Sequence, residues 1–319
     1  MIKVRQVLLC SAVPFFFLAA SCVRENSSRK QDIHVQQMSG FPNQEFGYEL
    51  GVSACYAGII GNKLVMAGGC NFAGKSAAEG GPKYFYKGIY TAEITKDSVL
   101  VWKQVGELPS PVAYGVSISR SGEMILIGGN NADGGLTSVF RLKLAEDGGA
   151  ILDTLPALPF AQDNMSGAAS GNTIYVAGGN RNGSPSTSVL SLNLNEPELG
   201  WKEEVPFPGA ARVQPVCAVQ DGMLYLWGGF CPSQNGGEAS VATDGYRYLP
   251  LQEQWEPVPA PAVAETGEPL TLTGGTSCVW SDSIILCTGG VDKDIFLDAI
   301  SGDYKRIAKE DYLLQPVAW

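Results

Sequence analysis

The sequence predicts an all-β fold made of repeated four-stranded units, and three observations lead to this prediction. Glycine supplies 39 of the 319 residues, an excess over the roughly 7% of an average protein. Only 17% of the residues are charged and 45% are hydrophobic, which is too apolar a balance for a disordered chain. Short apolar runs ending in paired glycines also recur along the chain.

The first repeated element is an apolar strand that ends in Gly-Gly. Adjacent glycines after a buried strand permit positive φ and a close approach of neighbouring backbone. The equal or nearly equal intervals between the copies indicate repeats of one structural unit. The first glycines of the five pairs lie 60, 50, 50 and 61 residues apart, at Gly68, Gly128, Gly178, Gly228 and Gly289.

Three further strands complete each unit. One precedes each Gly-Gly strand, as in residues 166–169, and one runs into proline at 35–42, 102–109, 152–159 and 201–208, with a looser copy from Trp255. Four strands at a period near 50 predict a kelch-type β-propeller. A β-sandwich with glycine turns is the alternative, but it gives no reason for five matched intervals. The remaining strand is centred on Tyr90, Phe140, Leu190, Tyr246 and Phe296.

The propeller is predicted to occupy residues 33–319. The chain enters it through the proline-ending strand at 35–42, which is the outermost type in a blade. We therefore expect this strand to complete a blade begun near the C-terminus. Pairing of the two chain ends would leave no open sheet edge.

The N-terminus is typical of an export signal. Lys3 and Arg5 precede an apolar run at 7–20, which is too short for a comfortable transmembrane helix. Small residues then lead directly into Cys22, which resembles a bacterial lipobox. We expect a lipoprotein signal peptide at 1–21, lipidation of Cys22 and a polar tether at 22–32. The protein would then be exported and anchored by lipid to a bacterial membrane, the outer one, facing the periplasm; an ordinary signal peptide is the alternative.

Charge and composition exclude several functions. The net charge is −10 without a Lys/Arg stripe, so a nucleic-acid partner is not expected. His34 is the single histidine, which excludes a multi-histidine metal site or a copper-radical oxidase. No CxxC spacing supports zinc, and neither metal nor cofactor is expected. Disulfides are permitted outside the cytoplasm, but the sequence assigns no pairs among the cysteines that follow Cys22.

Candidate site residues lie in two sets of loops. Because neighbouring strands are antiparallel, the loops into the innermost strands and the loops after the Gly-Gly strands open on one face of the ring. These loops are rich in amides and weakly charged, which suits a polyhydroxylated sugar. Each residue also has a structural alternative: a turn for the asparagines, a salt bridge for the arginine, a solvated acid for the glutamate. The predicted substrate-binding residues are Arg212, Asn164, Tyr114, Asn71 and Lys83, and the predicted catalytic acid/base is Glu79.

Several stretches are rare combinations, namely 67–72, 78–83, 163–168, 211–216 and 243–246. On these the chain resembles the N-acetylneuraminate epimerases, or sialic acid mutarotases, in their cyclically permuted branch, over roughly residues 48–319. The resemblance implies a six-bladed kelch propeller. It also implies an isomerase that interconverts the α and β anomers of N-acetylneuraminate, a sugar acid, by acid/base ring opening.

One departure from the family pattern bears on the function. The permuted branch continues past a Pro-x-x-Trp stretch, matched here by 316–319, into a blade with an Asn-Gly-Glu and a Gly-x-Arg segment. The Glu and the Arg of these segments are the family's proposed acid/base and a proposed substrate ligand, and neither segment occurs here. Residues 235–238 look similar to the first segment, but they follow a different Gly-Gly strand and are not equated with it. We therefore expect a truncated chain with about five blade units, lacking the last blade. A non-catalytic carbohydrate-binding or scaffolding propeller and an inactive fragment are the alternatives.

Overall fold

A computed structural model describes residues 38–95, 99–233, 237–264, 266–282, 284–291 and 293–300. The predicted signal peptide, Cys22, the tether and His34 lie outside these residues. Across the described ranges, no helix has both the length and the apolar character needed to cross a membrane. The six cysteines that follow Cys22 are all described, and all are free thiols.

Each repeat forms an antiparallel sheet whose strands pair in chain order. We call these sheets blades 1 to 5. Blade 1 comprises Tyr56–Ile60, Lys63–Ala67, Gly88–Glu93 and Trp102–Glu107. Blade 2 comprises Val116–Arg120, Glu123–Ile127, Val139–Leu144 and Ala150–Thr154, and blade 3 comprises Ser166–Ser170, Thr173–Ala177, Val189–Asn193 and Lys202–Glu203. Blade 4 comprises Val216–Gln220, Met223–Trp227, Gly245–Leu249 and Gln254–Pro257, and blade 5 comprises Gly275–Ser281 and Ile284–Gly289.

Short elements lie between the blade strands. Two-residue strands flank the turns at Cys70–Asn71 with Tyr84–Phe85, at Asn130–Asn131 with Gly134–Gly135, at Gln162–Asp163 with Asn180–Arg181 and Ser184–Pro185, and at Phe230–Cys231 with Ser240–Val241. Among the described residues, three 3-10 turns occupy Tyr48–Leu50, Ala77–Glu79 and Pro197–Leu199, and one α-helix occupies Lys293–Ile300.

The first strand of each blade is the innermost one. It packs against the first strand of the following blade, from blade 1 through to blade 5. Side chains alternate across a strand, so a strand between two blades is apolar on both faces. Met124 and Leu126 of blade 2 face the core shared with blade 1, whereas Ile125 and Ile127 face the core shared with blade 3. The hydrophobic core therefore lies between blades.

The paired glycines hold neighbouring blades at close range. All five pairs have positive φ, as the sequence predicts. Gly129 donates its backbone N–H to the carbonyl of Gln162 at 2.8 Å, in the loop that enters blade 3. A Cβ on Gly128 would lie only 2.5 Å from the same carbonyl oxygen. Glycine is needed here for both the φ angle and the approach.

The chain entry differs from the expected closure of first and last blades. The described part of the 35–42 segment lies on blade 1, where Ser39 bridges Val99 and accepts the backbone N–H of Leu100 at 2.8 Å. The segment that follows is held there as well. The carboxylate of Glu45 accepts the hydroxyl of Tyr90 at 2.7 Å and a backbone N–H of blade 1 at 2.9 Å. These contacts, between residues more than 40 positions apart in the sequence, fix the described part of the entry beside blade 1.

The second correction concerns Phe296, which the sequence places at the centre of a strand. The other four centres do lie in third strands of blades, but Phe296 lies in the helix Lys293–Ile300. Asp294 in the first helical turn complements the helix dipole. The Phe296 ring packs edge-on against Phe230, with 5.0 Å between ring centroids. The interval from Tyr246 predicts a strand at Phe296, but the ring packs there from a helix and not from a paired strand.

Candidate functional site

One turn residue precedes each innermost strand and has a left-handed backbone. Tyr114, Asn164 and Gln214 have φ of 61°, 53° and 53°, a region that non-glycine residues rarely adopt and that recurs at functional sites. Asn164 donates its N–H to the Tyr114 carbonyl at 2.8 Å, and Gln214 donates to Asn164 at 2.6 Å. Ala54 and Gly274 extend this series at its two ends. We call the five residues the turn ladder; it brings the entry loops of successive blades side by side.

A cavity of about 540 Å³ opens beside the turn ladder. This volume lies within the range of ordinary small-molecule sites. Its walls come from loops of three blades, and most of its polar groups are amides. The lining residues are Lys83 and Phe85 before the third strand of blade 1; Tyr114, Asn130, Asn131, Gly134 and Gly135 of blade 2; and Asp163, Asn164 and Gly183 of blade 3.

Lys83 and Tyr114 form a polar pair on one wall. The ammonium donates to the phenol oxygen at 2.9 Å and lies 5.6 Å from the centroid of the Phe72 ring. Burial raises the pKa of Tyr114, and the hydrogen bond from Lys83 opposes that rise only in part. The phenol is therefore neutral at pH 7. Within the described ranges no carboxylate pairs with Lys83, so its charge is available to an anionic ligand.

Asp163 supplies a buried carboxylate to the same cavity. The residue is 5% exposed, and its Oδ1 accepts amide N–H groups from Asn164 at 2.5 Å and Asn180 at 2.8 Å. Gln214 in turn donates to the amide oxygen of Asn164 at 2.8 Å. The other oxygen, Oδ2, lies 3.6 Å from the position that a Cβ on Gly135 would take. The carboxylate is thus held by neutral amides and faces the hairpin that lines the cavity.

Arg212, which the sequence predicts as a substrate ligand, is not among the residues that line the cavity. Its side chain is 1% exposed and forms an ion pair through both terminal nitrogens with Asp244. Its Nε donates to the carbonyl of Ala210 at 2.9 Å and its Nη1 to that of Gly228 at 3.2 Å. Burial would raise the pKa of Asp244, but the hydrogen bond and charge of Arg212 outweigh this and lower it. The salt-bridge alternative describes Arg212 in this structure.

Asn71 and Glu79 also lie outside the residues that line the cavity. The amide of Asn71 donates to the carbonyls of Gly47 and Gly51 at 2.7 and 2.8 Å and accepts the hydroxyl of Tyr86 at 2.8 Å. The exposed Glu79 accepts the backbone N–H and hydroxyl of Ser76 at 3.1 and 2.7 Å, in a capping box. Of the predicted site residues, the structure brings together Lys83, Tyr114 and Asn164. Their predicted roles, like those of Asn71, Glu79 and Arg212, are not tested by this placement.

The four-stranded blades, the paired-glycine turns and the loop cavity at one end define a kelch-type β-propeller. The solved structure titled "Structure of YjhT" superimposes with a TM-score of 0.60 over 76% of this chain and 78% of that one, at 13% identity. The profile of the N-acetylneuraminate epimerase family matches residues 18–151 and 155–317. The chain therefore belongs to the N-acetylneuraminate epimerase family.

Curated relatives agree over part of the sequence. N-acetylneuraminate epimerases of Haemophilus influenzae (strain PittEE) and Salmonella arizonae are 35% and 34% identical to the chain over 143 residues. Each alignment covers 45% of this chain and 35% of the relative. The chain thus spans about a third of the length of the curated relatives it matches.

Proposed function

We propose that the protein interconverts the α and β anomers of N-acetylneuraminate, acting as a sialic acid mutarotase. The cavity shared by blades 1, 2 and 3 is the observation that carries this proposal, since the Lys83 ammonium and several amides line it together. Family membership supports the choice of sugar. The Haemophilus and Salmonella relatives are named as N-acetylneuraminate epimerases, which points to the same class of reaction.

The cavity residues fit a sugar acid. The Lys83 ammonium would pair with the sugar carboxylate. The amides of Asn130, Asn131 and Asn164 would bind hydroxyl and N-acetyl groups, since each amide both donates and accepts. Phe85 supplies an apolar wall to the same cavity. Such a mixed lining with a few polar groups is typical of small-molecule sites.

Anomer exchange requires little chemical machinery. A general base removes the proton of the anomeric hydroxyl while an acid protonates the ring oxygen. The ring opens to a ketone, the bond to the carbonyl carbon rotates, and the ring closes on the other face. Side-chain proton carriers suffice for each step.

The experiment supplies the α anomer with a sialidase and follows its conversion by NMR. We expect the folded protein to exceed the spontaneous rate. Lys83→Met should raise KM roughly tenfold, the size of a lost charged hydrogen bond. Lys75→Met is the matched control, because Lys75 is an exposed lysine nearby that does not line the cavity. A folded protein that leaves the spontaneous rate unchanged would contradict the proposal.

A sugar-binding propeller without catalysis is the second candidate. It is favoured by the position of Glu79, the predicted acid/base, whose carboxylate caps a 3-10 turn away from the cavity lining. Saturation-transfer NMR with N-acetylneuraminate separates the two candidates. Binding without acceleration would support the second one.

A further inference from the structure

We infer that Asp163 is the catalytic residue that carries the anomeric proton, and this inference rests on the proposed mutarotation. Asp163 is the one carboxylate among the residues that line the cavity. It was not among the predicted site residues. Its neighbour Asn164 and the Lys83–Tyr114 pair were, and all four side chains border the same space.

The hydrogen bonds of Asp163 leave one oxygen for a ligand. Oδ1 accepts two amide N–H groups, from Asn164 and Asn180, whereas Oδ2 is directed at the Gly134–Gly135 hairpin of the cavity wall. A Cβ at Gly135 would lie at ordinary van der Waals distance from that oxygen, 3.6 Å away. Glycine leaves this space free for a substrate hydroxyl.

The surroundings of Asp163 leave its carboxylate without a bound cation. Across the described residues no ion pair involves Asp163, so a substrate hydroxyl meets no competing cation at Oδ2. Lys83 and Tyr114 line the same cavity, and the exposed Asp133 lies in the hairpin at its wall. Arg181, on the strand paired with it, is bound to Glu203 at 3.1 Å. Asp244 has a different setting, because Arg212 holds it ionised.

The proton steps balance within the cavity. The Asp163 carboxylate takes the proton of the anomeric hydroxyl, whose O–H electrons form the carbonyl bond. The bond between the anomeric carbon and the ring oxygen breaks, and the ring oxygen takes a proton from the Tyr114 phenol. Lys83 stabilises the phenolate left behind. After rotation, the ring hydroxyl attacks the other face of the carbonyl, returns its proton to Tyr114, and the carbonyl oxygen recovers its proton from Asp163.

Asn164 and Asn180 are then positioning residues, with Gln214 orienting Asn164. Their amide donors stabilise the ionised carboxylate. Removing one of them should lower kcat and leave KM unchanged, because the carboxylate is then no longer held toward the substrate hydroxyl. A merely structural contact would leave both kcat and KM unchanged.

The test compares Asp163→Asn with the wild-type protein in the sialidase-coupled NMR assay. We expect kcat to fall at least 100-fold, with binding of N-acetylneuraminate changed less than threefold. Asp153→Asn is the matched control, because Asp153 lies on the outer strand of blade 2, half exposed and paired with Lys143; it should keep the wild-type rate. If wild-type protein is active and Asp163→Asn keeps more than half its kcat, this inference fails while the proposed function stands. An inactive but folded wild-type protein overturns both.

A second variant keeps the inference testable if Asp163→Asn does not fold. Asn180→Ala removes one donor to Oδ1 and leaves the carboxylate. A fall in kcat with KM unchanged supports the assignment. Full kcat in the folded variant overturns it, as would loss of activity in Glu79→Gln alone.

Discussion

The guanidinium of Arg212 is the largest polar group enclosed in the described part of the protein, and its partners explain why it is tolerated. The guanidinium donates two hydrogen bonds to Asp244 and two to backbone carbonyls. The ring of Phe207 lies 5.4 Å from the guanidinium carbon. A buried charge needs both an opposite charge and hydrogen bonds to offset its lost hydration. Arg212 therefore stabilises the entry to blade 4.

Replacing Arg212 should destabilise the protein strongly. Arg212→Ala leaves Asp244 without its cation and the Gly228 carbonyl without a donor, so we expect a loss of about 3 kcal/mol in the free energy of unfolding. Urea denaturation measures it. Arg247→Ala is the control, since its pair with Glu256 is more exposed and should be worth less than about 1 kcal/mol. Equal losses in the two variants would contradict this account of Arg212.

Residue identity predicted three of the residues that line the cavity, Lys83, Tyr114 and Asn164, but not the contacts that hold their side chains. Asp163 and Asn164 are adjacent, and both lie in a loop that the sequence places at one face of the ring. Asn164 was predicted as a ligand, and the structure shows that its amide also holds the carboxylate of its neighbour, which faces the hairpin. The deciding contacts come from Asn180 and Gln214, 17 and 50 residues further on. No local pattern encodes such distant contacts.

At the scale of the element, the paired glycines set the distance between one blade and the entry loop of the next. Gly128→Ala introduces a side chain at positive φ and 2.5 Å from the Gln162 carbonyl. We expect about 2–3 kcal/mol of destabilisation, and a lower kcat because Asp163 follows directly. Thermal and urea unfolding measure the first effect, and the NMR assay measures the second.

Gly122→Ala separates the two causes. Gly122 also has positive φ, at 75°, but nothing lies within 4 Å of the position of its Cβ. The Gly122→Ala variant should therefore lose only about 1 kcal/mol of unfolding free energy, from backbone strain, and keep its kcat unchanged. The close-approach argument would be lost if both variants were destabilised equally.

Elements with a repeated local signal were predicted well, and those defined by distant partners were not. Gly-Gly located the second strands, and the aromatic or aliphatic centres located the third strands of blades 1 to 4. Phe296 has the same spacing in the sequence but lies in a helix, where its ring packs against Phe230. The described part of the segment that enters the propeller, residues 38–42, lies beside blade 1, and the hydrogen bonds of Glu45 that anchor its neighbourhood span more than 40 residues.

At the scale of the whole molecule, the blades are joined by polar bridges as well as by apolar cores. The carboxylate of Glu204 in blade 3 accepts the hydroxyl of Tyr248 in blade 4 at 2.9 Å, the hydroxyl of Ser191 at 2.6 Å and the ammonium of Lys202 at 2.9 Å. Burial would raise the pKa of Glu204, but these three hydrogen bonds outweigh it and lower the pKa. Glu204 and Asp244 thus share one response to acid.

Both carboxyl groups titrate below their unfolded values of about 4.3 and 3.9. Folding therefore gains stability from each while pH stays above the unfolded value, and this gain is lost as pH falls through the folded pKa. We expect the urea midpoint to be level near neutral pH and to fall steeply below about pH 4.3. In Glu204→Gln/Asp244→Asn, the acid dependence should flatten and the midpoint at pH 7 should fall toward the acid value. This double variant lacks the two carboxylates to which we attribute the loss of stability in acid. If the urea midpoint of the variant fell with pH as steeply as that of the wild-type protein, other carboxyl groups would be responsible.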